Sequence, residues 1–313
     1  MVDLEQQTRD ALSSWRAQRF TRDLGDPPDG LWHYTDAGGL RGILENDELW
    51  ASETRFLNDA TEISYGLEVA SEATNAAVKS GRWSDSTCNV LWRAMAKNGA
   101  NLPAYWRAKS QIYVACFCED GDLLSQWRAY AGRDAAGGYA IEFRHSAPLT
   151  GWIEHQSRPT LRLQKVIYDP DVQMTEFTKL IDLLAPIYDA EHEELQMKAL
   201  MDGFTAGLLE FATFCKHPSF AAEREWRVVY DAAGDAEPFE VKYRSPQGTL
   251  VPYVSLKLPA AVGTKAGHLP VSQIRTGPGL EPGLKELGLW RYVRSVETFK
   301  DVKICGSSTP LRL

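Results

Sequence analysis

Residues 111–143 read QIYVACFCEDGDLLSQWRAYAGRDAAGGYAIEF. The run IYVACFC is rich in β-branched and aromatic residues, and a Gly-Asp turn follows it. LLSQWRAYAG then takes helical spacing, and a glycine pair opens a second short apolar run, GGYAIEF. This pattern predicts a strand, a helix and a strand. A doubly wound fold would continue the alternation on both sides, and here it stops. Downstream, LRLQKVIY (161–168) predicts a strand, and residues 171–214 form one long helical stretch interrupted by Pro186 and Gly203. EREWRVVY (223–230), FEVKYR (239–244) and VPYVSLKL (251–258) then alternate like antiparallel strands with one wet face. Upstream, residues 1–20 read as an amphipathic helix ended by GDPPDG, LWHYT (31–35) as a strand, and residues 36–49 as a short helix with a Leu40, Ile43, Leu44 stripe. LWASETRFLND (49–59) is a strand entering a loop, and residues 61–80 and 87–97 have helical composition. The tail runs through IRTGPGL, a helical ELGLWRYV and a last strand VKICGS. The predicted class is α+β, with mostly antiparallel sheet flanked by helices. Residues 1–30 are read as an N-terminal helix and linker, and residues 31–313 as a single α+β domain of catalytic type.

The balance of 44% hydrophobic and 24% charged residues over 313 is that of a chain able to bury a large core. Ten tryptophans and twelve tyrosines exclude extensive disorder. A net charge of −8 argues against a surface built to grip phosphate backbones non-specifically. The N-terminus has no uninterrupted apolar core of a signal peptide, and no transmembrane span is legible, so a cytoplasmic location without membrane association is expected. The five cysteines are scattered and odd in number, so no disulfide framework is expected. Cys116 and Cys118 fall on one face of a strand, a spacing unlike that of a zinc knuckle, and no metal site is expected.

Four polar segments stand out. In Leu31–Thr35, His33 and Thr35 face one way and Trp32 and Tyr34 the other, so an imidazole and a hydroxyl share a face while aromatics pack or stack behind. A histidine satisfied at a strand end is the plainer reading of the same residues. In Arg55–Glu62, Asp59 and Glu62 have the spacing of a helix capping box, and a helix start beside Arg55 and Asn58 is also where a pyrophosphate settles. In Leu124–Ala131, Gln126 and Tyr130 share a helix face, while Trp127 reads as core. In Ala222–Val229, Glu223 and Glu225 project to one side of a strand entry, where close like charges call for a compensating cation or substrate. A solvated charged edge is the plainer alternative.

Read in order, HYT, LNDxxE, a CFC triplet ending a strand, QWxxYA and ExEWR resemble a widespread bacterial family of unknown function. The late segments PVSQI to GPG and SSTPLR resemble that family's C-terminal end. Cys118 stands where serine is common, and Leu311 where an aromatic is common. A second resemblance is to the ADP-ribosyltransferases, particularly the DarT-type DNA-modifying branch. It rests on a histidine near the front of a strand followed by GLxxIL, a central strand before a polar helix, and a glutamate opening a late apolar strand. That resemblance implies a split sheet and NAD as substrate, with no metal. It implies His33 on a ribose, Tyr34 or Tyr130 stacked on nicotinamide, and Glu225 as the catalytic carboxylate, Glu223 and Glu225 forming an ExE pair. Thr35, Arg55, Asn58 and Gln126 complete the expected NAD-binding set.

The expected function is therefore NAD-dependent ADP-ribosyl transfer, in a toxin or phage-defence effector. The acceptor is a nucleic acid or a protein, and there is room for an antitoxin partner. The alternatives are a NAD glycohydrolase or nucleotide hydrolase on the same cleft, or a non-catalytic ligand-sensing or partner-binding domain. The expected arrangement has His33, Tyr130 and Glu225 lining one pocket of one sheet system.

Overall fold

The computed structural model describes residues 4–22, 28–57, 61–91, 93, 112–130, 137–144, 161–188, 194–232, 237–245, 248–256, 268–279 and 281–309. The fold is α+β, a mixed but mostly antiparallel ten-stranded sheet with flanking helices. Contacts divide the chain into two compact units. One unit comprises Met1–Gly25, Asp59–Ser110 and Val166–Ala221, and the other Asp26–Asn58, Gln111–Lys165 and Ala222–Leu313.

The first unit is helical. Its helices are α1 (Leu4–Arg22), α3 (Thr61–Lys79), α5 (Pro170–Tyr188) and α6 (Glu194–Phe214). Their apolar faces meet in a core of Leu12, Trp15, Phe177, Leu180, Phe204 and Phe211. Burial of such side chains contributes about 1.5–3 kcal/mol each. Trp15 carries a polar indole N–H into this core and satisfies it on the Glu176 carbonyl at 3.1 Å. The expected breaks at Pro186 and Gly203 are not where the helical stretch divides. Pro186 lies within α5, and Gly203 lies within α6, where a Cβ would come within 2.3 Å of Thr8 Cγ2. Gly203 therefore serves close approach of two helices. No helix among the described residues is long and apolar enough to cross a membrane.

The second unit holds the sheet. Its strands are β1 (Gly30–Thr35), β2 (Leu49–Glu53), β3 (Ile112–Cys118), β4 (Tyr139–Arg144), β5 (Leu161–Lys165), β6 (Glu225–Asp231), β7 (Val241–Arg244), β8 (Val251–Leu256), β9 (Val271–Thr276) and β10 (Lys303–Gly306). Helices α2 (Ala37–Asn46), α4 (Leu124–Tyr130) and α7 (Pro282–Ser295) flank it. Strand order is β10-β9-β4-β1-β3-β2-β8-β7, with β6 paired to β3 and β5. β9, for which the sequence reading offered no strand, runs parallel to β10 through the α7 crossover. Among the described strands, the other pairings are antiparallel. The expectation of one wet face fails for β6, which is buried on both faces from Glu225 to Tyr230. One face carries Trp226, Val228 and Tyr230 into the main core with Leu31, Phe117 and Phe143.

The topology around β3 positions the site. One edge of β3 is paired with β6 along its full length. The other edge is shared: β2 meets it at Tyr113 and Val114, and β1 meets it at Cys118. The sheet is thus split between β1 and β2, with the middle of β3 at the root of the gap.

Candidate functional site

An open cleft lies at this split. Its floor is Val114, Ala115 and Cys116 of β3. One wall is His33, Tyr34, Thr35 and Asp36, and the other is Trp50, Ser52 and Arg244. Ile43, Phe56, Leu57 and Val251 add apolar surface, and Gly39 of α2 and Ala129 of α4 complete the lining.

His33 sits at the root. Its Nδ1 is 2.8 Å from the Cys116 carbonyl, in the stretch of β3 that lies between its partners β2 and β1. A carbonyl only accepts, so Nδ1 carries the proton and the neutral ring keeps Nε2 as an acceptor. Burial lowers the His33 pKa below the ordinary histidine value. The Cys116 bond opposes this, and the Arg244 charge adds to it. The ring also packs on Phe117, with centroids 5.7 Å apart.

Local sequence explains both walls. Asp36 is the N-cap of α2, with Oδ1 accepting from Gly39 N at 2.7 Å. Gly42 on the buried face of α2 leaves room for Trp50, since a Cβ there would lie 2.2 Å from the indole. Trp50 is held by its N–H to Glu48 at 2.8 Å and by Tyr253 at 4.9 Å. Arg244 of β7 reaches diagonally across β8 and donates from Nη2 to Ser52 Oγ at 2.8 Å.

The other expected site residues are placed as follows. Tyr34 lines the cleft, but its hydroxyl donates to the Asp120 carbonyl at 2.9 Å and accepts from Leu123 N at 2.9 Å. Burial raises its pKa. It therefore ties β1 to the loop leading into α4. Arg55 forms an ion pair with Glu53, and Gln126 is buried on α4; neither is among the cleft-lining residues. Asn58, Asp59 and the side chains of Tyr130 and Glu62 lie outside the described residues.

Glu223 is buried at the end of a 3-10 turn, Pro218–Glu223, and Glu225 opens β6. Neither is among the lining residues of the cleft. Glu225 accepts from Arg227 Nε at 2.7 Å and Nη2 at 3.0 Å, with both side chains almost wholly buried. Trp32, Cys118 and Glu225 are register partners across β1, β3 and β6, so they share a face. Strand alternation puts His33 on the other. Arg227, a residue of the same motif, is the cation paired with Glu225. Trp226 donates to Glu119 at 3.0 Å, and Lys165 donates to the same oxygen at 2.8 Å.

The remaining motifs converge elsewhere. Trp127, fully buried, packs edge-on against Tyr34 at 4.7 Å and donates to Asp122 at 2.8 Å. Asp122 also accepts from Ser307 Oγ, from Ser308 N and Oγ at 2.8 Å each, and from Arg275 at 3.2 Å. Gly277 of the GPG turn lies against Trp127, where a Cβ would meet the ring at 2.7 Å. The QW, GPG and SST segments are thus one structural knot that seats α4 and the C-terminal segment. Ser52, Trp50, Arg244 and Asp36 escaped the sequence reading. Only Asp36 carried a signal, as an aspartate directly before a helical stripe.

Among the described residues, no group of three histidine, cysteine or acidic side chains is placed to hold a metal. Neither the curated proteins nor the solved structures give a match to this chain. Residues 126–228, from Gln126 of α4 to Val228 of β6, match the family model described as Protein of unknown function (DUF2971), and in that segment the chain is similar to that family.

Proposed function

We propose that this chain is a NAD-dependent ADP-ribosyltransferase whose donor lies in the cleft between β1 and β2. The observation that carries the reading is His33 at the root of a split sheet, with Nδ1 committed to the Cys116 carbonyl and Nε2 the acceptor for a ribose hydroxyl. The aromatic wall of Trp50 and Phe56 suits a planar base. The resemblance of the HYT and GLxxIL segments to ADP-ribosyltransferases supports the same assignment.

Cleaving the bond from nicotinamide to ribose develops positive charge on the sugar, and a carboxylate fixed beside it stabilises the transition state more than the ground state. Glu225 is a poor candidate while Arg227 occupies both of its oxygens. In this reading the charge faces Asp36, the carboxylate among the described cleft-lining residues, anchored by its Gly39 bond. Glu225 then supports β6. A second reading, a ligand-sensing domain without catalysis, is favoured by one observation: Asp36 already has a structural task as the cap of α2.

The test is calorimetric titration of NAD into the purified chain, followed by assay of nicotinamide release with and without cell lysate as acceptor. Binding with release supports a transferase or, without acceptor dependence, a glycohydrolase. Binding without release supports the sensing domain.

A further inference from the structure

The wall of the cleft opposite His33 carries a feature that the transferase reading does not use. Arg244 is a permanent cation on the short strand β7, and its side chain crosses β8 to reach Ser52 of β2. The hydrogen bond to Ser52 holds the guanidinium against the cleft instead of leaving it in solvent, and both residues line the cavity. The negative group among the described lining residues, Asp36, belongs to the opposite wall and has one oxygen on Gly39 N. The charge of Arg244 is felt by His33. A guanidinium fork suits phosphate oxygens, and a neutral imidazole acceptor suits a sugar hydroxyl.

We infer that Arg244, positioned by Ser52, is the phosphate-recognising residue of this cleft, and that the cleft selects ligands in which a phosphate or pyrophosphate is joined to a hydroxyl-bearing sugar. The inference deepens the reading of the cleft as a NAD site and rests on that location for the donor. Its own content is the dependence on phosphate, which stands or falls separately from any transfer chemistry. Charge-assisted hydrogen bonds of this type change affinity by about ten- to one hundred-fold when one partner is removed.

The experiment titrates ADP-ribose and adenosine into wild type, Arg244→Gln and Ser52→Ala by calorimetry at two salt concentrations, with thermal melting as the check on folding. ADP-ribose is expected to bind wild type at least ten-fold tighter than adenosine. Arg244→Gln should remove most of that advantage and leave adenosine affinity within about two-fold. Ser52→Ala, which keeps the charge but releases its tether, should lose part of it. If Arg244→Gln melts early, Arg244→Lys keeps a cation without the fork and should show intermediate ADP-ribose affinity with the wild-type salt response. Equal affinity of wild type for the two ligands, equal losses for both in Arg244→Gln, or no binding of either would overturn the inference. Nicotinamide release in parallel separates the two ideas. Release that is indifferent to Arg244 sinks the phosphate assignment alone, and phosphate-dependent binding without release sinks the transferase reading alone.

Discussion

Glu225 and Arg227 stand two residues apart on the same face of β6 and are joined by two hydrogen bonds of 2.7 and 3.0 Å, both side chains shielded from solvent. The pair explains how a glutamate and an arginine enter a strand buried on both faces: each charge meets the other locally. It also gives the first prediction. Removing one partner of a buried pair leaves the other charge uncompensated and costs about 3–5 kcal/mol, whereas replacing both by apolar residues of similar size is often neutral. Glu225→Ala and Arg227→Ala should each lower stability by that amount in urea unfolding. Glu225→Leu combined with Arg227→Met should recover most of the loss. Single losses below about 1 kcal/mol would show that the pair does not hold β6.

Asp122 gives a stability change with pH. Burial pushes its pKa up, but hydrogen bonds from Ser307, Trp127 and Ser308 outweigh this and draw it down to about 2. A carboxyl depressed in the folded state contributes stability above its unfolded pKa near 4 and loses it as pH falls toward 2. The contribution is about 1–2 kcal/mol, discounted for partial exposure. Thermal midpoints of wild type should fall between pH 4 and pH 2 more steeply than those of Asp122→Asn. Parallel curves would remove Asp122 from the account.

His33 is predicted to stay neutral below the ordinary histidine range, because burial and the Arg244 charge both oppose protonation while its Cys116 bond only partly compensates. The unfolded chain takes up a proton near pH 6.5 and the folded chain does so at lower pH, so this residue's contribution to stability is present above 6.5 and lost as pH falls. Proton NMR of the ring should show titration below 6.5, and ADP-ribose affinity should be level from pH 8 to 6.5. An inflection at or above 6.5 would assign the ring the opposite state.

Much of the fold was legible because its strands are short runs bounded by turn residues. IYVACFC, GGYAIEF and EREWRVVY became β3, β4 and β6, and the Leu40–Leu44 stripe became α2. Period-two and period-3.6 patterns report which face is apolar, and that information is local. The split of the sheet was implied only through resemblance, since strand order depends on contacts far apart in sequence, such as Trp32 with Cys118. For the same reason His33 and Tyr34 could be singled out, whereas Arg244 could not. Nothing in FEVKYR distinguishes the cation that turns to Ser52 from Lys242, whose amine meets Ser255 at 2.9 Å. The QW and ExEWR motifs stood out as mixed polar and aromatic segments, which buried hydrogen-bonded knots produce as readily as ligand sites do.

The most direct test compares nicotinamide release and melting temperature in wild type, Asp36→Asn and Glu225→Gln. Asparagine caps a helix as well as aspartate does, so Asp36→Asn keeps α2 and removes only the charge. The account predicts that Asp36→Asn melts with wild type but loses about two to three powers of ten in turnover. Glu225→Gln should be destabilised by about 1–3 kcal/mol and, when folded, turn over within a few-fold of wild type. The reverse pattern, full turnover in Asp36→Asn and loss in a well-folded Glu225→Gln, would contradict a reaction centred on the cleft between β1 and β2.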